Sequence, residues 1–497
     1  MLRSILIFLV LLPAGAAANA TDSCRNLYRL TDLNYAVEPG IEVGENNGVA
    51  AHCRINAVIN RAIQVQVRLP SNWNGRFMFS TVGGGAGQIG DTTSLLTRGF
   101  AMASTDTGHE GQTMSFMAQP EALIDYAYRG VHLATRFAKK VIQTYYDQDI
   151  RYSYLQGCSN GGRAAMLEAI RFPHDYDGII AGAPAFRFEE FAPWMMGGAR
   201  QQAKAPLTKA SLRILDDASR AACDTLDGVA DGVINDPRLC TNAHFDVNEL
   251  ICAKGKRENC LDKTQAETAK WMYTDVKDNE GNIISPGVLP GAEAAGDWAF
   301  WILDNPLLGS TSLIGGMAST IGLLMRKDTT FNVEEFDIIN DRKKLTAHLS
   351  IVDVQTADLS EFAASGGKLL MYQGWNDYPL RPQRAINYLH QVEQHHGGEA
   401  NVQNFFRLYM VPGMVHCAGG PGAWLADYVD PLTTWRESDK GPDRIIATKP
   451  PAQNLDHLAH TEDTSDHTFS RPLCVYPALA RYDGNGNPDQ AESFDCK

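Results

Sequence analysis

The chain has 497 residues, 44% of them hydrophobic and 21% charged, with 44 Gly and 23 Pro; this composition excludes collagen-like and low-complexity classes and allows a sizeable buried core. Acidic residues outnumber basic ones 58 to 44, a formal charge of −14, which repels phosphate backbones and anionic lipid and argues against nucleic-acid binding. Ten cysteines, an even number, accommodate five disulfides if the compartment is oxidising.

Arg3 precedes an apolar run at residues 5–12, followed by Pro13 and mostly small residues that end in Ala18-Asn19-Ala20. That order is a secretory signal, with an apolar run too short to span a bilayer. Residues 1–20 are therefore expected to be removed, leaving a mature chain that is secreted or periplasmic. No later stretch approaches the roughly 20 apolar residues of a transmembrane helix, so no membrane partner is expected.

Residues 65–69, 77–82 and 100–105 read as strands and 121–145 as a long helix; a strand at 152–156, a helix at 163–172 and a strand at 178–183 follow. Such alternation predicts an α/β fold with a mainly parallel sheet and helices on its faces. The alternation lapses over 188–359 and resumes with strands at 368–373 and 406–411. One α/β domain (21–187 and 360–497) interrupted by an inserted segment (188–359) accounts for this. Cys223, Cys240, Cys252 and Cys260 fall in the insertion, as expected of a small core that needs staples.

Gly157-Cys158-Ser159-Asn160-Gly161 fits G-x-S-x-G, with a predicted strand before it and a helix after it. The glycines permit the strained strand-to-helix turn that lifts a serine hydroxyl above the sheet edge, and the next amide points where an oxyanion forms. The pattern alone is weak, since a Gly-rich turn with a capping serine also satisfies it; the flanking elements give it weight. A serine nucleophile needs an orienting acid and a base, which in this fold follow it in that order. Asp377 follows the strand at 368–373, and His416 follows the strand at 406–411, both at the edge of a parallel sheet where active sites form. His109 precedes the serine and is read as structural or pocket-lining. Cys158 directly precedes the candidate nucleophile and Cys417 directly follows the candidate base. A meeting of serine and histidine would bring these two cysteines within bridging reach.

Gly83-Gly84-Gly85-Ala86-Gly87 follows the strand at 77–82 and is placed to supply a second oxyanion-hole amide. It lacks the Lys and Ser/Thr of a phosphate-binding loop. Gly85-Ala86-Gly87-Gln88-Ile89-Gly90 matches G-x-G-x-x-G literally, but the next strand follows too soon for the crossover helix that a dinucleotide site requires. In the insertion, Asp224, Asp227 and Asp231 crowd a loop with two glycines. With the carbonyls of Val229 and Val233 they can enclose a hard cation, calcium before zinc or copper, although paired Asp-Gly turns fit the same spacing.

The arrangement Cys158-Ser159, Asp377 and His416-Cys417 resembles that of the tannase and feruloyl esterase family, secreted α/β-hydrolases that cleave esters of phenolic and aromatic acids. The resemblance extends to Trp73-Asn-Gly-Arg-Phe77, Tyr128-Arg-Gly-Val-His132, Gly157-Cys-Ser-Asn-Gly-Gly-Arg163, Phe172-Pro-His-Asp-Tyr-Asp-Gly178, Val411-Pro-Gly-Met-Val-His-Cys417 and Arg471-Pro-Leu-Cys474. It implies an α/β-hydrolase catalytic domain with a large inserted lid domain. By the same resemblance Ser159 is the nucleophile, His416 the base, Asp377 its orienter and Asn160 an oxyanion-hole amide. The partner amide falls at Gly84, with Gly83 or Gly85 as alternatives. A structural calcium in the lid is implied at Asp224, Asp227, Val229, Asp231 and Val233. The implied disulfides pair Cys24 with Cys53, Cys158 with Cys417, Cys223 with Cys240, Cys252 with Cys260, and Cys474 with Cys496.

Substrate choice resides in the lid. The family's terephthalate-monoester hydrolase holds its substrate's free carboxylate with a lid arginine, whereas the similar stretch here, residues 300–325, has no Arg or Lys. Burying an unpaired carboxylate there costs about 3 to 5 kcal/mol. A small aromatic ester of the hydroxycinnamate kind is the expected substrate, with galloyl esters or, disfavoured by that cost, terephthalate monoesters as alternatives. A calcium-stabilised binding protein on the same scaffold is the non-enzymatic alternative.

Overall fold

The structure is a computed structural model that describes residues 20–256, 258–304, 312–326, 333–451 and 468–497. The expected signal segment falls outside these residues except for Ala20, and so does part of the apolar lid stretch. In chain order the strands are β1 (Tyr35–Val37), β2 (Ile41–Val43), β3 (His52–Ile59), β4 (Ile63–Pro70), β5 (Arg76–Ser80), β6 (Ala101–Thr105), β7 (Tyr152–Cys158), β8 (Gly178–Gly182), β9 (Val276–Lys277), β10 (Ile283–Ser285), β11 (Lys368–Gly374), β12 (Phe406–Val411), β13 (Leu425–Ala426), β14 (Arg444–Thr448), β15 (Ser470–Cys474), β16 (Ala480–Tyr482) and β17 (Phe494–Cys496).

Ten of these form one sheet among the described residues, in the order β1-β3-β4-β6-β5-β7-β8-β11-β12, with β2 paired to β3. From β6 to β12 all pairs are parallel, while β1 to β4 form an antiparallel wing that joins β6. Side chains alternate across the sheet as strand geometry requires. Phe77, Phe79, Leu155, Leu369 and Met371 pack on one face with Phe137 and Val141 of the helix Gly130–Tyr146. Met78, Tyr154, Leu370 and Tyr409 pack on the other with Leu432 and Trp435.

The helix predicted at 121–145 is interrupted. A π-helical turn at Asp125–Arg129 separates Pro120–Ile124 from Gly130–Tyr146. Its carbonyls have another partner: the fully buried Arg163 guanidinium takes the Tyr126 and Ala127 oxygens at 2.9 and 3.0 Å. Satisfying a buried guanidinium outweighs regular helix geometry at this point.

Between β8 and β11 the chain leaves the sheet. The two passages lie side by side, with the Val354 amide on the Phe186 carbonyl at 2.8 Å and the Phe188 amide on Asp353 Oδ1 at 2.7 Å. Beyond this neck, Trp194, Leu212, Met272 and Trp298 form an apolar core that also takes in Tyr378 and Tyr126 from the sheet domain. The inserted segment is therefore seated on the sheet's C-terminal edge. The five cysteine pairs implied by resemblance are bridged, with Cα–Cα separations of 5.0 to 6.0 Å. Between β5 and β6 no helix occurs, so Gly85–Gly90 lacks the crossover element of a dinucleotide site.

Candidate active site

Strand β7 runs into Ser159, whose φ of 63° and ψ of −124° place a non-glycine residue in a strained conformation of the kind that recurs at nucleophile elbows. Packing forces the neighbouring glycine: a Cβ on Gly157 would lie 1.9 Å from Thr81 Oγ1 and 2.7 Å from the Gly161 carbonyl carbon. Thr81 Oγ1 in turn sits 3.0 Å from the Gln156 and Gly161 carbonyl oxygens, stitching the β5 loop to both sides of the elbow. Asn160 opens the helix Asn160–Arg171, and its side chain donates to the Val82 carbonyl at 3.0 Å.

The three candidate amides of the β5 loop differ in their partners. Gly85 N–H donates to Gln112 Oε1 at 2.9 Å and is thereby committed. Among the described residues the Gly83, Gly84 and Asn160 amides have no partner. A Cβ on Gly83 would come within 3.5 Å of Ser159 Cβ, so the loop passes directly over the serine. Tyr126 donates to the Gly84 carbonyl at 3.1 Å, and His109 Nε2 lies 2.6 Å from the Gly85 carbonyl with its ring stacked on Phe116. His109 thus braces the loop and does not line the cleft.

Asp377 and His416 meet as the chain order predicted, with Nδ1 2.8 Å from Oδ2. Gln373 Nε2 at 3.0 Å and the Leu380 amide at 2.7 Å complete the shell of the Asp377 carboxylate. This fixes the Nδ1–H tautomer of His416 and leaves Nε2 as the basic nitrogen. Burial works against a charged imidazole, but Asp377, by charge and hydrogen bond, and Asp297 outweigh it, and the His416 pKa is raised. Among the described residues no Ser159–His416 hydrogen bond is formed; such contacts in free hydrolases are often long and tighten when substrate binds. The Cys158–Cys417 bridge, 6.0 Å between Cα atoms, ties the nucleophile's neighbour to the base's neighbour.

Ser159, Gly83, Gly84 and His416 line one cleft of about 680 Å³. Phe300 and Trp301 of the lid form an aromatic wall, with Val82, Ile180 and Val415 below it; Asp91, Arg98 and Asp427 make another part of the lining polar. Arg98 is paired with Asp427 at 3.2 Å and also with Asp430.

The aspartate loop of the lid lies apart from this cleft. Each carboxylate accepts one amide of its own loop at 3.0 Å: Asp224 from Gly232, Asp227 from Val229 and Asp231 from Val233. Arg471 holds the second Asp231 oxygen at 2.5 Å. Burial, with Asp231 and Asp224 nearby, pushes the Asp227 carboxyl up to about 6. The Val229 and Val233 carbonyls accept no hydrogen bond among the described residues. Among the described residues the ligand oxygens of these three aspartates do not all come within 4.8 Å of one another, and Arg471 already pairs with one of them, so it is the charge pattern and not a formed cage that is compatible with a hard cation.

The sequence profile described as tannase and feruloyl esterase matches residues 48–497. The chain belongs to the tannase and feruloyl esterase family. It is a carboxylic ester hydrolase with an α/β-hydrolase fold. Within the family it is 30% identical to a probable feruloyl esterase of Arthroderma benhamiae, over 92% of this chain and 86% of that one. It is 28% identical to a mono(2-hydroxyethyl) terephthalate hydrolase of Piscinibacter sakaiensis, over 90% of this chain and 84% of that one. Feruloyl esterase B from Aspergillus oryzae superposes with a TM-score of 0.82 at 24% identity, covering 96% of this chain and 100% of that one.

Several residues that shape this family site carry no local sequence signal. Gln112, Gln373 and Asp297 act through contacts with the β5 loop, Asp377 and the loop of His416, and none belongs to a recognisable motif.

Proposed function

We propose that this protein is a secreted or periplasmic serine carboxylesterase that hydrolyses esters of aromatic acids, most like a feruloyl esterase. The observation that carries the reading is Ser159, on its left-handed elbow, sharing one cleft with His416, which is hydrogen-bonded from behind to the buried Asp377. Ser159 Oγ attacks the ester carbonyl while His416 Nε2 takes its proton, and Asp377 steadies the imidazolium. The Asn160 amide and the Gly84 amide, or its neighbour Gly83, hold the oxyanion. His416 then protonates the departing alcohol, and a water deprotonated by His416 releases the acid from Ser159.

Phe300 and Trp301, whose rings stand at 89° to each other, supply an aromatic lining suited to an aromatic acyl group. The guanidinium of the described lining, Arg98, already serves two carboxylates, so a substrate bearing its own carboxylate finds no free cation there. A neutral hydroxycinnamate is therefore preferred over a terephthalate monoester, and a galloyl ester is the second choice. Asp224, Asp227, Asp231 and the carbonyls of Val229 and Val233 would hold calcium, which supplies charge neutralisation to the lid and takes no part at the ester. Five disulfides support export to an oxidising compartment, and no described helix is long and apolar enough to cross a membrane.

The test is kcat/KM for methyl ferulate, methyl gallate and mono(2-hydroxyethyl) terephthalate under one condition. Ferulate is expected to lead and terephthalate to trail by at least about tenfold; a leading terephthalate contradicts the proposed acyl preference.

A further inference from the structure

Asp297 is the first residue of the short lid helix Asp297–Ile302, 2% exposed, and it lines the same cleft as Ser159 and His416. Its Oδ2 accepts two backbone amides from different parts of the sheet domain: Tyr378 N–H at 3.0 Å, next to Asp377, and His416 N–H at 3.2 Å. Ala292 and Ala295 of the lid pack against Val415 beside His416, but the other lid hydrogen bonds near the pair reach the Asp377 side. Asn376 Nδ2 donates to the Pro290 carbonyl at 2.9 Å and Arg381 Nε to the Pro286 carbonyl at 3.1 Å.

We propose that Asp297 is a positioning residue: one carboxylate oxygen holds the acid loop and the base loop together from the lid, and its negative charge helps His416 accept a proton. This inference rests on the esterase reading of Ser159 and His416. Seating of the lid and alignment of the triad then become one event, because the residue that aligns the two loops belongs to the lid.

The charges around this point support the second half of the proposal. Asp377, Tyr378 and Arg381 act on Asp297 or His416 from the β11 loop, and Arg384 acts on Asp377 from the helix that follows. Arg381 is fully buried over the Trp194 ring at 3.8 Å, with both terminal nitrogens lacking hydrogen-bond partners. With Arg384 taken up by Glu190 at 3.3 Å, two carboxylates against one guanidinium leave one net negative charge while His416 is neutral, and none once it is protonated. Neutralising Asp297 makes the buried site pass from no charge to a positive one, which burial penalises. Burial and the neighbouring Asp377 push the Asp297 carboxyl up to about 6, against the opposing pull of His416.

The experiment follows kcat/KM for methyl ferulate against pH in the full chain, comparing wild type with Asp297→Asn and Asp297→Ser. Both replacements keep an oxygen able to accept an amide hydrogen but lack the charge; Ser, being smaller, is the second variant should Asn disturb folding, which circular dichroism checks. The acid limb of the folded variants is expected to move to lower pH by about one unit, with kcat on the plateau reduced about threefold to tenfold. A purely structural role would lower kcat and leave the limb in place. An unmoved limb in a folded neutral variant overturns the inference, whereas a wild type that hydrolyses none of the panel esters overturns the esterase reading beneath it.

Discussion

At the scale of single residues, the proposed chemistry depends on keeping His416 basic and correctly oriented. Asp377 does this inside a closed shell: Gln373 and the Leu380 amide hold the carboxylate, which then receives His416 Nδ1. Because the folded His416 pKa is raised above 6.5, the base is lost by protonation as pH falls through a value above that figure. The profile of kcat/KM is therefore expected to decline on the acid side with a midpoint above 6.5. Asp377→Asn keeps the shape but presents the wrong hydrogen-bonding partner to Nδ1–H, and kcat is expected to fall by about three to four orders of magnitude. A steady-state pH series on both proteins checks this; an Asp377→Asn variant within tenfold of wild type would remove Asp377 from its role. The residues named by motif, Ser159, Asp377 and His416, were legible because each follows a recognisable strand. Asp297 was not legible, since its partners Tyr378 and His416 lie 81 and 119 residues away and only the folded chain makes them neighbours.

At the scale of elements, the strands and the insertion carry different parts of the design. Parallel strands β5, β7, β11 and β12 each end in a loop that brings one piece to the cleft, respectively the Gly83–Gly84 amides, Ser159, Asp377 and His416. Their runs of buried residues made them readable from the sequence. The antiparallel wing was less so, as β1 and β2 have three residues each, too few to show a period. The π-helical turn at Asp125–Arg129 was also illegible, because its cause, Arg163, is distant in the chain. For the lid's aspartate loop the proposed bound cation carries a prediction of its own. Calcium is expected to raise the melting temperature by several degrees and a chelator to reverse this, since a cation relieves repulsion among Asp224, Asp227 and Asp231. Asp227→Ala should abolish that response in calorimetry while leaving the active-site residues intact; an unchanged response to calcium would show the ion acting elsewhere.

For the whole molecule, the cysteines and the cleft belong to one plan. The Cys158–Cys417 bridge closes a separation of 259 residues, worth about 5 to 6 kcal/mol on loop-closure entropy alone, and it does so beside the candidate nucleophile and base. The remaining bridges staple the N-terminal wing, the lid and the C-terminal strands. The net charge of −14 argues against nucleic acid, yet it has no bearing on the choice of ester; in the proposed reading that choice lies with Phe300, Trp301 and the paired Arg98. Domain interruption was legible because strand alternation stopped and resumed. The lid's seating was not, since it depends on Tyr378 and Tyr126 entering the lid core.

The most direct measurement is covalent labelling by a fluorophosphonate, read by peptide mass spectrometry alongside hydrolysis of methyl ferulate by wild type and Ser159→Ala. Labelling confined to Ser159, with kcat lowered by about five to six orders of magnitude in Ser159→Ala, is the predicted result. Ferulate hydrolysis that persists in Ser159→Ala, or a label on another residue, would contradict the assignment of Ser159 as nucleophile.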